Sequence, residues 1–398
     1  MSDISIPNFR FKKYTSNLIK TKLSKIATFN PKSSLPENFK YIDLESVLGT
    51  ELVSYREETR ESAPSRAQRV AQKGDVFYQM VRPYQKNNYL FDLNENNYVF
   101  STGYAQLRPK VDSAFLLARL QEEGFVNKVI ERCTGTSYPA INSKDLSRIS
   151  ITIPEDLAEQ SAIGSLFRTL DDLLASYKDN LTNYQSLKAT MLSKMFPKDG
   201  QPVPEIRMNG FEGEWEIKKF KSISTKRGKS NSKGYDYPAY SVSNQSGLIP
   251  QSEQFDGSRL ENLEKTSYKI VEPNEFAYNP ARINVGSIAF NDLDETVIVS
   301  SLYVIFSLDK SINNNYALLF IKSPEFNKEV RRNTEGSVRE YLFYENFANI
   351  RIPIPPSLEE QQAIGVYFSN LDNLVTAHQE KISQLETLKK KLLQDMFI

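Results

Sequence analysis

Ile149 to Phe196 reads ISITIPEDLAEQSAIGSLFRTLDDLLASYKDNLTNYQSLKATMLSKMF, and Ile350 to Phe397 reads IRIPIPPSLEEQQAIGVYFSNLDNLVTAHQEKISQLETLKKKLLQDMF. The two stretches align without a gap at a constant offset of 201 residues, with 19 identities in 48 positions. Agreement of that density without a gap marks a duplication, and the rest of the chain is organised around it.

Each copy follows one pattern. A short β-rich run (Ile149, Ile151, Ile153; Ile350, Ile352, Ile354) stops at Pro154 or Pro355, which suits the end of a strand and the start of a helix. Acidic residues crowd the next turn (Glu155, Asp156 and Glu159; Glu359 and Glu360), where the helix macrodipole favours negative charge. Apolar residues then recur at three- and four-residue steps. In the first copy they are Ile163, Leu166, Leu170, Leu173, Tyr177, Leu181, Tyr184, Leu187, Met191 and Met195. In the second they are Ile364, Phe368, Leu371, Val375, Ile382, Leu385, Leu388, Leu392 and Met396. The spacing predicts two amphipathic helices of about 40 residues, each ~60 Å long at ~1.5 Å per residue. A solitary helix with such a stripe is poorly stable, and the obvious partner for each is the other copy, paired like a coiled coil. The bland alternative is two core helices inside two ordinary domains.

The 398 residues, 39% hydrophobic and 11% aromatic, suffice for two domains plus connectors. No apolar run approaches the ~18 residues of a membrane span, and YALLFI (Tyr316 to Ile321) is strand-sized. The opening MSDISIPNFRFKK holds no signal-peptide core. Cys133 stands alone, which removes a disulfide framework or a Cys-based zinc site within one chain. These features predict a cytoplasmic protein.

The net charge of +1 hides local clusters. Ile4 to Pro36 has seven basic residues (Arg10, Lys12, Lys13, Lys20, Lys22, Lys25, Lys32) and no acid. Lys218 to Lys233 has seven more (Lys218, Lys219, Lys221, Lys226, Arg227, Lys229, Lys233), again without an acid. Either cluster alone reads equally as a solvated face. Their equivalent placement in the two halves favours phosphate binding.

Residues 1–151 read as a mixed α/β domain. KYIDLESV, DVFYQMV and YVFSTGYAQLR are β-rich, and VDSAFLLARLQEEG has helical spacing ending at Gly124. Residues 152–199 hold the first long helix and the start of a connector, and Pro197 to Trp215, dense in Pro and Gly, reads as a linker. Residues 200–352 form the second domain, with YPAYSVSN, EFAYNP, ETVIVSSLYVIFSL and YALLFIKS as strand or buried segments, and residues 353–398 hold the second long helix. The duplication continues weakly into the domains. DVFYQMVRP (Asp75 to Pro83) matches EFAYNPARI (Glu275 to Ile283), setting Tyr78 over Tyr278 and Arg82 over Arg282. RCTGTSYPAI matches RNTEGSVREYL approximately, with Tyr138 over Arg339. One scaffold carrying different variable residues suggests two related tasks on two targets.

Reactive groups are scarce. The only histidine, His378, aligns with Tyr177 on the apolar stripe and reads as a seam residue, which also removes a Ser-His or Cys-His triad. Gly228-Lys229-Ser230 resembles the end of a P-loop, but the required upstream glycine is Ile223. No dinucleotide-binding glycine loop and no Asn-Pro-Pro-aromatic run is present. Asp292, Asp294 and Glu295 read as a solvated turn rather than a metal site. No catalytic or metal-ligating residue is therefore assigned. The loops instead offer Arg, Asn and Gln, which read base edges, beside Lys and Ser, which hold phosphates. The residues assigned to DNA binding on this basis are Tyr78, Arg82, Tyr138, Lys229, Ser243, Asn244, Tyr278, Arg282, Arg331 and Arg339. For the tyrosines, core packing is an equal alternative.

Pro154-x₄-Glu159-Gln160-x₂-Ile163-Gly164 and Pro355-x₄-Glu360-Gln361-x₂-Ile364-Gly365 continue as Leu170-Asp171 and Leu371-Asp372. They close with Leu187-Lys188…Met195-Phe196 and Leu388-Lys389…Met396-Phe397. With Phe211-Glu-Gly-Glu-Trp215 at the start of the second half, the combination resembles the specificity subunit of type I restriction–modification systems over nearly the whole chain. The first half departs in lacking a Trp at the matching place. The resemblance implies an α+β fold: two mixed α/β target recognition domains alternate with two long helices that pair as an antiparallel coiled coil, in an internal pseudo-two-fold repeat. It implies that each domain reads one half of a bipartite, asymmetric site on double-stranded DNA, with the helices as the spacer. It implies two modification (methyltransferase) subunits that carry S-adenosylmethionine, and restriction subunits that use ATP and Mg, so that this chain binds no cofactor itself. The rival is a two-headed coiled-coil adaptor that binds proteins; DNA binding should weaken steeply with salt and apolar protein docking should not.

Overall fold

A computed structural model of the chain describes residues 7–135, 137–244, 247–254, 265–333 and 341–397. The duplicated stretches form helices over Leu157–Lys194 and Leu358–Met396, close to the expected length. The chain packs as two compact units, Met1–Asn180 with His378–Ile398, and Leu181–Ala377. Both long helices are therefore shared between units, and each unit holds the start of one helix beside the end of the other.

Within the first unit the helices run antiparallel. Phe167 stacks on Phe397 with centroids 5.9 Å apart, Asp171 pairs with Lys389, and Lys178 lies 3.3 Å from Glu386. His378 faces Tyr177 with ring centroids at 5.3 Å, so the lone histidine is a seam residue. The second unit repeats the arrangement. Lys188 pairs with Asp372, and Met195 and Phe196 join Ile364, Phe368 and Leu371 in one core. Asp171–Lys389 and Asp372–Lys188 are the same pair shifted by 201 residues. A parallel pairing would set each lysine near the far end of the other helix from its aspartate; only the antiparallel one brings both pairs together.

Each unit adds a globular domain built on the same four-stranded sheet. In the first the strand order is Ala27–Phe29, Tyr104–Pro109, Val76–Gln79, Tyr89–Leu90. In the second it is Ser224–Arg227, Val304–Leu308, Phe276–Tyr278, Ile288–Phe290. All neighbours are antiparallel. The first domain carries a further sheet, Arg56–Thr59, Asn38–Ile42, Tyr98–Ser101, Ala67–Val70, with a parallel pair at its centre. The second carries instead a hairpin, Tyr240–Ser243 with Gly247–Pro250, and the pair Lys269–Val271 with Val297–Val299. The β-rich run ahead of each long helix pairs antiparallel with an early strand, Leu18–Lys22 with Ser150–Pro154 and Glu216–Lys219 with Arg351–Ile354.

The repeated Glu-Gln-x₂-Ile-Gly residues dock domain to helix. Glu159 is 1% exposed and accepts from Arg10 Nε at 2.6 Å and Nη2 at 2.7 Å; Glu360, equally buried, accepts from Arg207 at 2.7 Å through both nitrogens. A carboxylate so buried needs both a cation and hydrogen bonds, and this geometry supplies them. Gln160 and Gln361 accept from the backbone N–H of Asp112 (3.3 Å) and Asn313 (2.9 Å), the residues that cap the next domain helix. Ile163 and Ile364 enter the cores. Gly164 lets helix and cap approach closely: a Cβ there would lie 2.5 Å from Asp112 Oδ1 and 2.7 Å from the Phe115 nitrogen.

One local expectation, the helix end at Gly124, is corrected, and two others are made more specific. Tyr316 to Ile321 lies in a helix, Asn314–Ile321, because Asn313 caps it by accepting from Tyr316 N at 3.0 Å and Tyr316, Ala317, Phe320 and Ile321 bury one helical face. Gly124 does not end a helix. Glu122 interrupts after Ser113–Gln121, and its carboxylate caps a second helix, Glu123–Ile130, by accepting from Gly124 N and from Phe125 N at 2.8 Å. Pro197 to Trp215 is irregular but anchored. Arg207 grips Glu360, Ile206 N donates to Lys194 O at 3.0 Å, Trp215 N donates to Pro202 O at 2.8 Å, and the Trp215 ring is 4% exposed. The same anchoring recurs at Pro7-Asn-Phe-Arg-Phe11, where Phe9 N donates to Asp395 O and Arg10 grips Glu159, with Leu18 in the place of Trp215.

Candidate nucleic-acid interface

In the first domain, two loops meet beyond the strand Val76–Gln79. Val81 bridges Ala140, and Arg82 N donates to Pro139 O at 2.8 Å. Arg82 and Lys86 both adopt left-handed backbone, with φ of 53° and 57°, and between them Pro83–Gln85 makes a 3₁₀ turn. Positive φ is costly for residues with a Cβ and persists only where neighbours enforce it. Here Gln79 Nε2 donates to Val81 O at 2.6 Å and to Gln85 Oε1 at 2.9 Å, Gln121 Nε2 donates to Lys86 O at 3.1 Å, and Lys86 pairs with Glu123 at 2.8 Å. The Arg82 guanidinium sits 4.3 Å above the Tyr138 ring, a cation–π contact, and Tyr138 is 65% exposed. Tyr84, at the middle of the turn, is 50% exposed.

Cations gather nearby. The Lys128 ammonium is held below its usual range by partial burial and then by Arg119, Lys20 and Arg132, with Glu122 acting in the opposite direction, and Arg132 donates back to Lys128 O at 2.5 Å.

The second domain repeats the loop arrangement with other residues. After Phe276–Tyr278, Arg282 N donates to Asn279 O at 3.0 Å, a 3₁₀ turn spans Ile283–Val285, and Gly286 takes φ of 90°. Leu342 N donates to Pro280 O at 3.0 Å, so the segment before the last strand again meets this loop. Tyr341 and Phe343 stack at 5.9 Å and stay exposed, and Val285 at the turn is exposed too. The hairpin carrying Ser243 and Asn244 lies against this turn, since Ser287 Oγ donates to Val242 O at 3.5 Å and a Cβ on Gly286 would lie 3.8 Å from Asn244 O.

The structure therefore joins Arg82 with Tyr138, and sets the turn that follows Arg282 against the strand end that carries Ser243 and Asn244. Tyr78 and Tyr278 are corrected to core residues. Both are fully buried, Tyr278 donating to Leu342 O at 3.0 Å and Tyr78 packing edge-on to Phe125, and burial pushes both phenols well above their usual range. Lys229 and Arg331 are exposed, but no contact among the described residues ties them to the Arg282 turn. Arg339 lies outside the described residues. Sequence reasoning missed Tyr84, Val285, Tyr341 and Phe343. The available signal was their position just past the matched arginines or beside the matched loop. The Asp292–Glu295 segment is a turn held by Asn291, which donates to Glu295 O at 2.9 Å and accepts from Leu293 N at 3.1 Å.

Comparison with known proteins places the chain in a family. The family model of the type I restriction modification DNA specificity domain matches residues 54–183 and again 212–387. The chain belongs to this family. It is 23% identical over 343 residues to the type I restriction enzyme MjaVIII specificity subunit of Methanocaldococcus jannaschii, covering 81% of this chain and 73% of that protein. The fold is shared with the type I restriction–modification system S subunit from M. genitalium, at a TM-score of 0.64 and 13% identity over 99% of both chains. It is shared also with a chain of a type I restriction–modification system studied for complex assembly and conformational transition, at a TM-score of 0.54 and 20% identity over 96% and 98% of the two. This specificity subunit recognises DNA sequence within a type I restriction–modification complex and is non-catalytic; nothing favours the protein-binding adaptor. Among the described residues, no helix is long and apolar enough to cross a membrane.

Proposed function

We propose that the two globular domains each read one half of a bipartite, asymmetric site on double-stranded DNA. The observation that carries this is the repetition of one loop pair, an arginine turn beside an exposed aromatic, with different side chains in each domain. Arg82, Tyr138 and the Lys128–Arg132 cluster serve the first half-site, and Arg282, Ser243, Asn244, Lys229, Arg331 and Arg339 serve the second. The long helices space the readers and dock two modification subunits. Leu173 and Leu187 from the first helix, and their equivalents Leu374 and Leu388, stay 37–45% exposed at matching positions, as a doubled docking surface requires. Restriction subunits join the complex outside them. S-adenosylmethionine belongs to the modification subunit, ATP and Mg to the restriction subunit, and the complex works in the cytoplasm.

The test is methylome sequencing of a methylation-free host that expresses this chain with its cognate modification subunit. One new bipartite adenine-methylated motif, absent when this chain is omitted, is expected. An assembled complex that methylates no such motif refutes the proposal. Trimming the same number of whole turns from both helices is expected to change the spacing while leaving the half-site bases alone.

A further inference from the structure

The turn after each matched arginine is made to hold a side chain outward. In the first domain, two residues with a Cβ are kept at positive φ on either side of Pro83–Gln85, and Gln79, Gln121 and Glu123 lock the turn from beneath. Core packing does not call for this, because the turn's middle residue, Tyr84, is half-exposed. Proline at the first position of the turn further restricts it, so Tyr84 is presented with little entropy left to lose. A tyrosine has only two side-chain torsions and a large apolar ring, which suits it to contact a base edge or a thymine methyl. Arg82 is committed differently. Its guanidinium lies on Tyr138, and its Nε is buried without a hydrogen-bond partner among the described residues. That leaves the terminal nitrogens as the DNA-facing donors and makes the residue an anchor. The second domain keeps the turn, Ile283–Val285, but offers the smaller, exposed Val285.

We infer that this turn is the base-reading tip of each domain, and that Tyr84 is a specificity-determining residue for the first half-site. The inference rests on the DNA-reading function proposed above. Tyr84 discriminates at one base pair through its ring, while Val285 acts only in the other half-site. Two 3₁₀ turns at equivalent places, differing in backbone and in exposed side chain, give two half-sites from one scaffold.

The experiment uses the full chain with its cognate modification subunit in the methylation-free host, comparing wild type, Tyr84→Ala, Tyr84→Phe, Val285→Ala and the exposed control Leu48→Ala. Tyr84→Ala is expected to relax one position of one half-site, with discrimination there falling about tenfold or more. Tyr84→Phe keeps the ring and the wild-type motif, Val285→Ala alters only the other half-site, and Leu48→Ala changes neither. An unchanged motif for Tyr84→Ala, a change in both half-sites, or a uniform loss of methylation across all sequences overturns the assignment while leaving the subunit a DNA reader. A wild-type complex that yields no bipartite motif overturns the functional reading, and this inference with it.

Discussion

Gly164 and Gly365 occupy the same place in the duplicated helix, yet the structure gives them different work. A methyl group on Gly164 would meet Asp112 Oδ1 at 2.5 Å and the Phe115 backbone nitrogen at 2.7 Å, both inside van der Waals contact. Asp112 Oδ1 is itself the cap of the Ser113–Gln121 helix, accepting from Phe115 N at 2.9 Å, so relief of the clash displaces that cap. Overpacking costs about 2 kcal/mol and loss of the cap about 1, against a gain of about 1 from replacing glycine inside a helix. Gly164→Ala should therefore destabilise by about 2 kcal/mol. At Gly365 the nearest atoms to the added methyl are Asn315 Cβ at 3.2 Å and Asn313 Oδ1 at 3.4 Å, with the Tyr316 nitrogen at 3.9 Å. A shift of a few tenths of an ångström offsets most of the propensity gain, so Gly365→Ala should be neutral within about 1 kcal/mol. Thermal and urea unfolding of the full chain would measure both. A 2 kcal/mol loss in a unit of about 200 residues lowers Tm by about 4–8 °C. If the two substitutions shift stability equally, the close-approach argument is wrong and the glycine serves the helix alone.

Two further outcomes follow from the same packing. Glu159→Gln should cost about 2 kcal/mol rather than the larger loss typical of a fully buried pair, because the Arg10 side chain keeps 20% of its surface in water. Combining it with Arg10→Met should recover part of that loss, and a coupling below about 0.5 kcal/mol in a double-mutant cycle of urea unfolding would show that the two side chains act independently. Cys133, the only cysteine, is half-buried, and burial raises its thiol pKa. The thiolate fraction at neutral pH is thereby reduced, so alkylation should run slower than for a free thiol and accelerate as pH rises into the alkaline range; a rate at pH 7 equal to that of an unfolded control would contradict this.

The sequence by itself determined the two long helices, their pairing and the family. An apolar stripe at 3.6-residue spacing is a local signal, and its repetition at a fixed offset identifies the partner without coordinates. The seam position of His378 and the alignment of Tyr78 with Tyr278 were legible for the same reason, since equivalent residues on duplicated elements have equivalent surroundings. Which way those tyrosines face was not legible, because alternation along a three- or four-residue strand buried on both sides carries no face signal. YALLFI likewise suits a strand or a buried helix by composition, and only the Asn313 cap decided for helix. Glu159 and Glu360 read as helix-dipole acids. That they are buried ligands for Arg10 and Arg207 depends on partners about 150 residues away, which no local pattern encodes. The recognition turn is the clearest case. Arg82 could be aligned from sequence, but the left-handed backbone that presents Tyr84 comes from Gln79, Gln121, Glu123 and the strand-like Tyr138–Ile141 segment closing around it. A loop's conformation is the sum of such distant constraints, and it exists only once the chain has folded.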